Sequence, residues 1–309
     1  MRAMMAFVAT IAAFGAVAGE ISRTTLIAHR GESVDAPENT LPAYKTAVER
    51  DFGFECDIYL SKDGRLFTFH DRNLKRTTGG VHTEACTAAS WEETLSKINV
   101  GGWGKWKGSK FDPTRPALLE EVLALARPGR MIYVEVKGND PAWAPKIREV
   151  FARQRKANPQ NTLFITFGDK IAAALKKEMP EYKLYYLMTA YKPVKVEKAS
   201  AVRTPTEAAT KRPARKKGRK AAESQPYTPE EILRKLNEIG ADGIDICYAP
   251  KVHTAAFIQK IHAAGKEFHV WTVDSIARAE MAFAAGVDTL TTNCAQKLLD
   301  QHGKKIQKK

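Results

Sequence analysis

Residues 228–291 read TPEEILRKLNEIG, ADGIDICYAPKVH, TAAFIQKIHAAG, KEFHVWTVD, SIARAEMAFAAG and VDTLT in unbroken succession. Three helix-like stretches, Pro229–Ile239, Thr254–Ala264 and Ser275–Ala285, are each followed by a glycine: Gly240, Gly265 and Gly286. Thr228-Pro229 is a start signal, and a glycine just past the last turn is a stop signal. After each glycine comes a short apolar run, Gly243–Ile246, Phe268–Thr272 and Asp288–Thr291. Short strands alternating with helices predict a parallel sheet whose crossovers are helical.

The same rhythm extends upstream. Strands are predicted at Thr25–Ala28, Phe54–Ile58, Met131–Val136, Leu163–Thr166 and Leu184–Leu187, with helices at Asn39–Arg50, Leu118–Ala126, Trp143–Ala157 and Lys170–Glu178. With 44% hydrophobic side chains the chain is neither disordered nor a disulfide-stapled miniprotein, and its 309 residues suit one large α/β barrel, commonly about 250 residues, or two ordinary domains. Two segments break the rhythm. Residues 59–117 carry the turn Ser61-Lys62-Asp63-Gly64, the run Leu66–Phe69 and a Gly/Trp-rich stretch around Trp103 and Trp106, as expected of a small subdomain inserted after strand two. Residues 191–226, after strand five, are rich in Lys, Arg, Ala, Pro and Thr and have the composition of a disordered, mobile insertion.

The formal charge of +14 invites a nucleic-acid partner until it is located along the chain. Residues 191–220 hold eleven Lys or Arg against Glu197 and Glu207, the tail 301–309 holds four lysines, and the first eighteen residues hold only Arg2. The remaining body is neutral. Clustered cations can contact an anionic surface, but with only Tyr191 as an aromatic in the insertion, base stacking is poorly served and no specific nucleic-acid partner is expected.

Residues 1–18 resemble a secretory leader: Arg2, an apolar run from Met4 to Val17, and Ala16-Val17-Ala18 ahead of Gly19. The run is shorter than the roughly 20 residues that cross a bilayer, so cleavage near Ala18 and export to periplasm or medium are expected. The mature chain is then a barrel domain over 19–300 with a basic tail over 301–309. Cys56, Cys86, Cys247 and Cys294 show no C-x-x-C spacing, leaving one disulfide or buried free thiols as the alternatives.

Chemistry is concentrated in the first half. Glu55 and Asp57 stand two apart on a predicted strand and therefore share a face, and Glu135 and Lys137 repeat the arrangement. Solvated strand ends or a simple Glu135–Lys137 ion pair would account for either pair alone. Three carboxylates buried inside a barrel need a cation or a base, which suggests a Mg2+ or Ca2+ site with Lys137 free for an anion. His29 and His70 each end an apolar run, at the barrel end where active sites are built, and each precedes a charged residue. Together they are candidates for acid/base work near neutral pH.

In order along the chain stand His29-Arg30-Gly31, Pro37-Glu38-Asn39-Thr40, Glu55-x-Asp57, Lys62-Asp63-Gly64, His70-Asp71, Arg76-Thr77-Thr78, Glu135-x-Lys137 and a late Trp271. This set, spread over residues 25–295, resembles the glycerophosphodiester phosphodiesterase family of phospholipase-C-like phosphodiesterases. The resemblance implies a TIM-type (β/α)8 barrel with an insertion after strand two. It also implies one divalent cation, Ca2+ or Mg2+, held by Glu55, Asp57 and Glu135, with acid/base catalysis by His29 and His70 and phosphate contacts from Arg30 and Lys137. The implied substrate is a small glycerophosphodiester, cleaved to sn-glycerol 3-phosphate and an alcohol. Trp271 is expected to line the glycerol or alcohol pocket or to pack in the core, and Asn39 to cap the first helix.

The chain departs from the family pattern in two places. Thr291-Thr292-Asn293-Cys294-Ala295 lacks the proline many relatives carry there, and the basic insertion is longer than usual. Two alternatives accompany the family reading: a lysophospholipid or sphingomyelin-type phosphodiesterase on the same barrel, and a polyanion- or envelope-binding protein acting through 191–220 and the C-terminal lysines.

Overall fold

The structure, a computed structural model, describes residues 20–193 and 224–307. The leader at 1–18, most of the basic insertion and the final Lys308 and Lys309 lie outside the described residues. Nine strands form one sheet: β1 (Leu26–Ala28), β2 (Gly53–Leu60), β3 (Leu66–Thr68), β4 (Ile132–Val136), β5 (Thr162–Thr166), β6 (Leu184–Met188), β7 (Gly243–Cys247), β8 (Glu267–Trp271) and β9 (Thr289–Thr292). Eight of them are parallel, and the sheet closes because β1 pairs with both β2 and β9. Only β3 runs antiparallel, folded back on β2 with Leu60 opposite Leu66. The helices are α1 (Leu41–Glu49), α2 (Leu119–Leu123), α3 (Trp143–Ala152), α4 (Asp169–Glu178), α5 (Pro229–Ile239), α6 (Ala255–Ala263), α7 (Ile276–Ala284) and α8 (Ala295–Ile306). This is a TIM barrel, the parallel architecture that the alternation predicts and the barrel that the family resemblance implies.

The period of two along a strand divides its side chains between two environments. In the barrel strands, even-numbered residues such as Phe54, Cys56, Val134, Phe164, Ile244, Phe268 and Leu290 point outward into the core shared with the helices. Odd-numbered Ile27, Tyr133, Leu163, Ile165, Tyr185, Leu187 and Trp271 fill the barrel interior. Gly243 leaves room there, since a Cβ would stand 2.7 Å from the Tyr185 ring. Glu55, Asp57, Glu135, Asp245 and His269 occupy odd positions as well, so register alone sends these polar groups inward.

The inserted segment 59–117 packs onto the barrel: Leu66, Phe67, Leu74, Cys86, Trp91, Leu95 and Val100 belong to the same continuous core as the barrel's outer face. Two expectations need correction. The tail does not begin at residue 301, because α8 runs unbroken to Ile306, and Lys305 pairs with Glu280 at 2.7 Å. The N-cap of α1 is Thr40, not Asn39, and Asn39 adopts a left-handed conformation, φ 55°. Of the two alternatives for the cysteines, the structure has the free thiols, at all four positions.

Candidate active site

The loop from β1 to α1 makes a sharp turn at the barrel mouth. Arg30 and Gly31 both have positive φ, 56° and 77°, and a Cβ at Gly31 would collide with the Ala43 backbone at 2.6 Å. Glycine is therefore required there, and the turn aims the Arg30 N–H at Glu55 Oε2, 2.8 Å away. Asn39, the other positive-φ residue of this loop, locks Asp57 in place. Its Nδ2 donates to Asp57 Oδ2 at 2.7 Å, while its Oδ1 accepts from the Asp57 N–H at 3.1 Å and from the Tyr44 hydroxyl at 2.8 Å. The capping role expected of Asn39 is thus replaced by orientation of a buried carboxylate. Non-glycine residues in this conformation carry strain of order 1–3 kcal/mol, which persists where surrounding bonds over-determine it.

The residues expected to bind metal, phosphate or alcohol and to move protons arrive at one place. His29, Arg30, Glu55, His70, Glu135, Lys137 and Trp271 line a single open cavity of about 490 Å3, and Asp57 lies beneath it, 1% exposed. Oxygens of Glu55, Asp57 and Glu135 come within 4.8 Å of one another. Lys137 Nζ stands 2.7 Å from Glu135 Oε1 and 3.2 Å from Asp57 Oδ1, so the simple ion pair does exist, bridging two of the three carboxylates.

The electrostatics are those of a site short of positive charge. Burial, then the charges of Asp57 and Glu135, push the Glu55 carboxyl well above its ordinary range. Burial and Asp57 raise Glu135 to about 8 against the pull of Lys137. For Asp57, burial is outweighed by the Lys137 and Arg30 cations, which hold it below the usual carboxylate range. Glu55 Oε1 is buried without a hydrogen-bond partner, and Asp57 Oδ1 has only the Lys137 ammonium beside it. An oxygen-only cluster with an unpartnered buried oxygen fits a hard divalent cation.

The two histidines are held differently. His29 Nδ1 lies 2.7 Å from Asn293 Oδ1, and the Asn293 amide is itself oriented, donating through Nδ2 to Asp274 Oδ2 at 2.7 Å and through its backbone N–H to Asp274 Oδ1 at 2.8 Å. With Nδ2 committed to a carboxylate, Asn293 offers His29 an acceptor, so the proton of neutral His29 is assigned to Nδ1 and Nε2 is left bare. Burial, with Arg30 beside it, lowers His29 to about 4.

His70 Nδ1 instead meets a carboxylate, Asp71 Oδ1, at 2.8 Å. Burial, with Arg30 and Lys137 nearby, lowers His70 from its ordinary value, while Asp57 and Asp71 oppose that shift.

Arg76 ties the two halves of the mouth together. Its guanidinium donates to Asp71 Oδ2 at 2.7 Å and to both Glu38 oxygens at 2.7 and 2.8 Å, and Glu38 Oε1 also accepts from Arg30 at 2.8 Å. The Trp103 ring packs 5.0 Å from the same guanidinium. The path Arg30–Glu38–Arg76–Asp71–His70 thus joins the β1 loop to the segment after β3. The sequence marks Glu38 and Arg76 as motif members but gives no sign that they bond each other.

Asn293 and Asp274 were not singled out in the sequence. Nothing local marks them, because Asn293 meets His29 only when β9 closes the barrel. Trp271 lines the cavity and also packs in the interior, edge-on to Phe167 at 6.0 Å.

The model of the Glycerophosphoryl diester phosphodiesterase family matches residues 29–297. Among curated relatives, a glycerophosphodiester phosphodiesterase of Caldanaerobacter subterraneus is 31% identical over 166 residues, 52% of this chain and 65% of that protein. One of Bacillus subtilis is 34% identical over 129 residues, 38% of this chain and 41% of that protein. The matched segments thus span less than two thirds of either relative. Among solved structures, an Oleispira antarctica phosphodiesterase in complex with the product sn-glycerol-3-phosphate superposes with a TM-score of 0.69 at 22% identity, covering 90% of this chain and 96% of that one. A glycerophosphodiester phosphodiesterase of Agrobacterium tumefaciens gives 0.61 at 22% identity, covering 88% and 96%. At that identity the structural likenesses establish the fold.

Proposed function

This chain belongs to the glycerophosphoryl diester phosphodiesterase family, and from that premise we propose that it hydrolyses glycerophosphodiesters to sn-glycerol 3-phosphate and an alcohol. The observation that carries the proposal is the meeting of three inward carboxylates, two cations and two differently held histidines around one cavity. A divalent cation held by Glu55, Asp57 and Glu135 would supply Lewis-acid stabilisation of the phosphoryl oxygens.

The chain's own groups supply the rest. Arg30 and Lys137 place fixed positive charge where a pentavalent phosphoryl group concentrates negative charge. His29 accepts a proton at Nε2 from the attacking oxygen as the new O–P bond forms. Protonated His70 donates one to the departing alcohol oxygen as the old P–O bond breaks. Asn293 suits His29 to the base role by keeping Nδ1–H engaged, and the Asp71 carboxylate favours a charged His70.

The test is release of glycerol 3-phosphate from glycerophosphocholine and glycerophosphoethanolamine by purified protein in Ca2+ or Mg2+, lost in chelator. No release from any glycerophosphodiester in either cation would refute the proposal. Faster turnover of micellar lysolipid than of soluble diesters would move the substrate to the lysophospholipid class. We propose further that the protein is exported with cleavage near Ala18, which N-terminal sequencing of the secreted or periplasmic form would check. Contact of 191–220 and the terminal lysines with an anionic surface would appear as salt-sensitive binding to acidic vesicles, lost on deleting 195–222.

A further inference from the structure

The cavity has a floor the reaction does not use. Below Lys137 and Trp271, between Ile165 and Leu187, it ends on Asp245 of β7, a carboxyl 1% exposed in an otherwise apolar strand. Asp245 Oδ1 is buried without a hydrogen-bond partner among the described residues. Its nearest polar neighbour gives no help. His269 Nε2 is 3.7 Å away and faces Thr291 Oγ1 at 2.7 Å, while His269 Nδ1 faces Thr289 Oγ1 at 2.6 Å. A buried carboxyl with no partner costs stability, so its orientation toward a cavity that holds substrate points to a partner carried by the ligand.

The shape of the site says which part of the ligand. A second, wider groove of about 1150 Å3 opens beside the first, and the two share His70, Glu135, Lys137 and Phe167. A phosphodiester seated at these shared residues would reach one arm into each lobe. The compact lobe suits a short polyol, and the wide groove suits a variable alcohol.

We infer that Asp245 reads a hydroxyl of the substrate's glycerol arm and so sets the preference of this site for glycerol over a deoxygenated arm. The inference rests on the glycerophosphodiesterase reading given above. Burial holds the Asp245 carboxyl above the usual range, which leaves it able both to donate to and accept from a hydroxyl. Selectivity follows from asymmetry, since a ligand lacking the hydroxyl leaves the carboxyl unpaired in the complex as well.

The experiment is calorimetric titration of the full chain, in Ca2+ or Mg2+, with sn-glycerol 3-phosphate and with the two phosphates that each lack one glycerol hydroxyl, propane-1,2-diol 1-phosphate and propane-1,3-diol phosphate. Wild-type protein should bind glycerol phosphate at least about tenfold more tightly than one of the two diol phosphates. In Asp245→Leu that ratio should fall to within about twofold, and Asp245→Asn, which still hydrogen-bonds, should keep most of it. Equal affinity of wild-type protein for all three ligands overturns the inference without any variant, and so does a ratio that survives in Asp245→Leu. If the wild type hydrolyses glycerophosphocholine yet fails to discriminate, only this inference falls. If it hydrolyses no glycerophosphodiester, the underlying reading falls and takes the inference with it.

Discussion

Replacing Asn293 with alanine tests the base role of His29 most directly. The side chain makes its bond to His29 Nδ1 at 2.7 Å, on the far side of the ring from Nε2, so its removal should act through the imidazole. A neutral hydrogen bond contributes about 1 kcal/mol net, and losing it frees His29 to place its proton on Nε2, where it can no longer accept one. A tautomer population shifted by that amount lowers the rate about fivefold, because about 1.4 kcal/mol corresponds to tenfold. Lost ring orientation adds to this, and wrong-tautomer variants of serine proteases, which lose ~10^4, set the upper bound. The expectation is a fall in kcat between about tenfold and about a thousandfold, with KM for glycerophosphocholine changed less than about threefold.

Asp274→Asn should have the same effect from one bond further away. An amide facing both the Asn293 N–H and its Nδ2 cannot accept at both ends, so Asn293 would turn its Nδ2 toward His29. The assay is steady-state kinetics at saturating cation, together with the 15N shifts of His29, which distinguish the two tautomers. A kcat within about twofold of wild type in both variants, or a His29 already protonated at Nε2 in the parent, would refute this account of the relay.

Three other outcomes follow from the same geometry. Glu135→Gln should raise the stability of the cation-free protein by about 1 kcal/mol, about 2–4 °C in Tm, by removing one of three mutually repelling carboxylates, yet lose the Tm rise that wild type shows on adding Ca2+ or Mg2+; differential scanning calorimetry with and without chelator measures both. Arg76→Ala should cut kcat/KM by about ten- to a hundredfold by freeing both Glu38 and Asp71, with Arg76→Lys intermediate because a single ammonium cannot serve both carboxylates as the planar fork does, as steady-state kinetics would show. Glu32, 1% exposed, is held up at about 7 in the folded chain, chiefly by burial, whereas in the unfolded chain it titrates in the ordinary carboxylate range. Between those two pH values the folded state holds the extra proton, so stability falls as pH rises toward 7 and the full cost is present above it. Glu32→Gln should therefore be more stable than wild type at pH 8 by about 1–3 kcal/mol and lose that advantage near pH 4, as urea unfolding at the two pH values would show.

What could be read in advance was whatever depends on local order. The strands at Met131–Val136, Gly243–Ile246 and Phe268–Thr272 fall within a residue or so of those observed, because strand period and glycine stops act over a few positions. Glu55-x-Asp57 and Glu135-x-Lys137 share a face for the same reason. Asp245 offered the identical signal, a lone carboxylate between Ile244 and Ile246, and the parity of β7 already sends it inward. The unforeseen features are long-range. Asn39 was read as a cap because it precedes a helix, but strand β2 supplies it with a better partner in Asp57. The Glu38–Arg76 pair spans 38 residues and the His29–Asn293 pair 264, and only closure of the barrel brings either together.

The alternation of side chains around the barrel also bears on how this protein can change. Along its strands, even positions hold the helix layer and odd positions face the cavity, so folding and chemistry are written on interleaved but separate sets of residues. Substrate range can be rewritten at 165, 187, 245 or 271 with the outer packing of Ile244, Ile246, Phe268 and Val270 left as it is. A single-residue deletion inside any of these strands would exchange the two sets at once and forfeit both. Variation by substitution is therefore open to the interior of this barrel, and variation in length is confined to its loops.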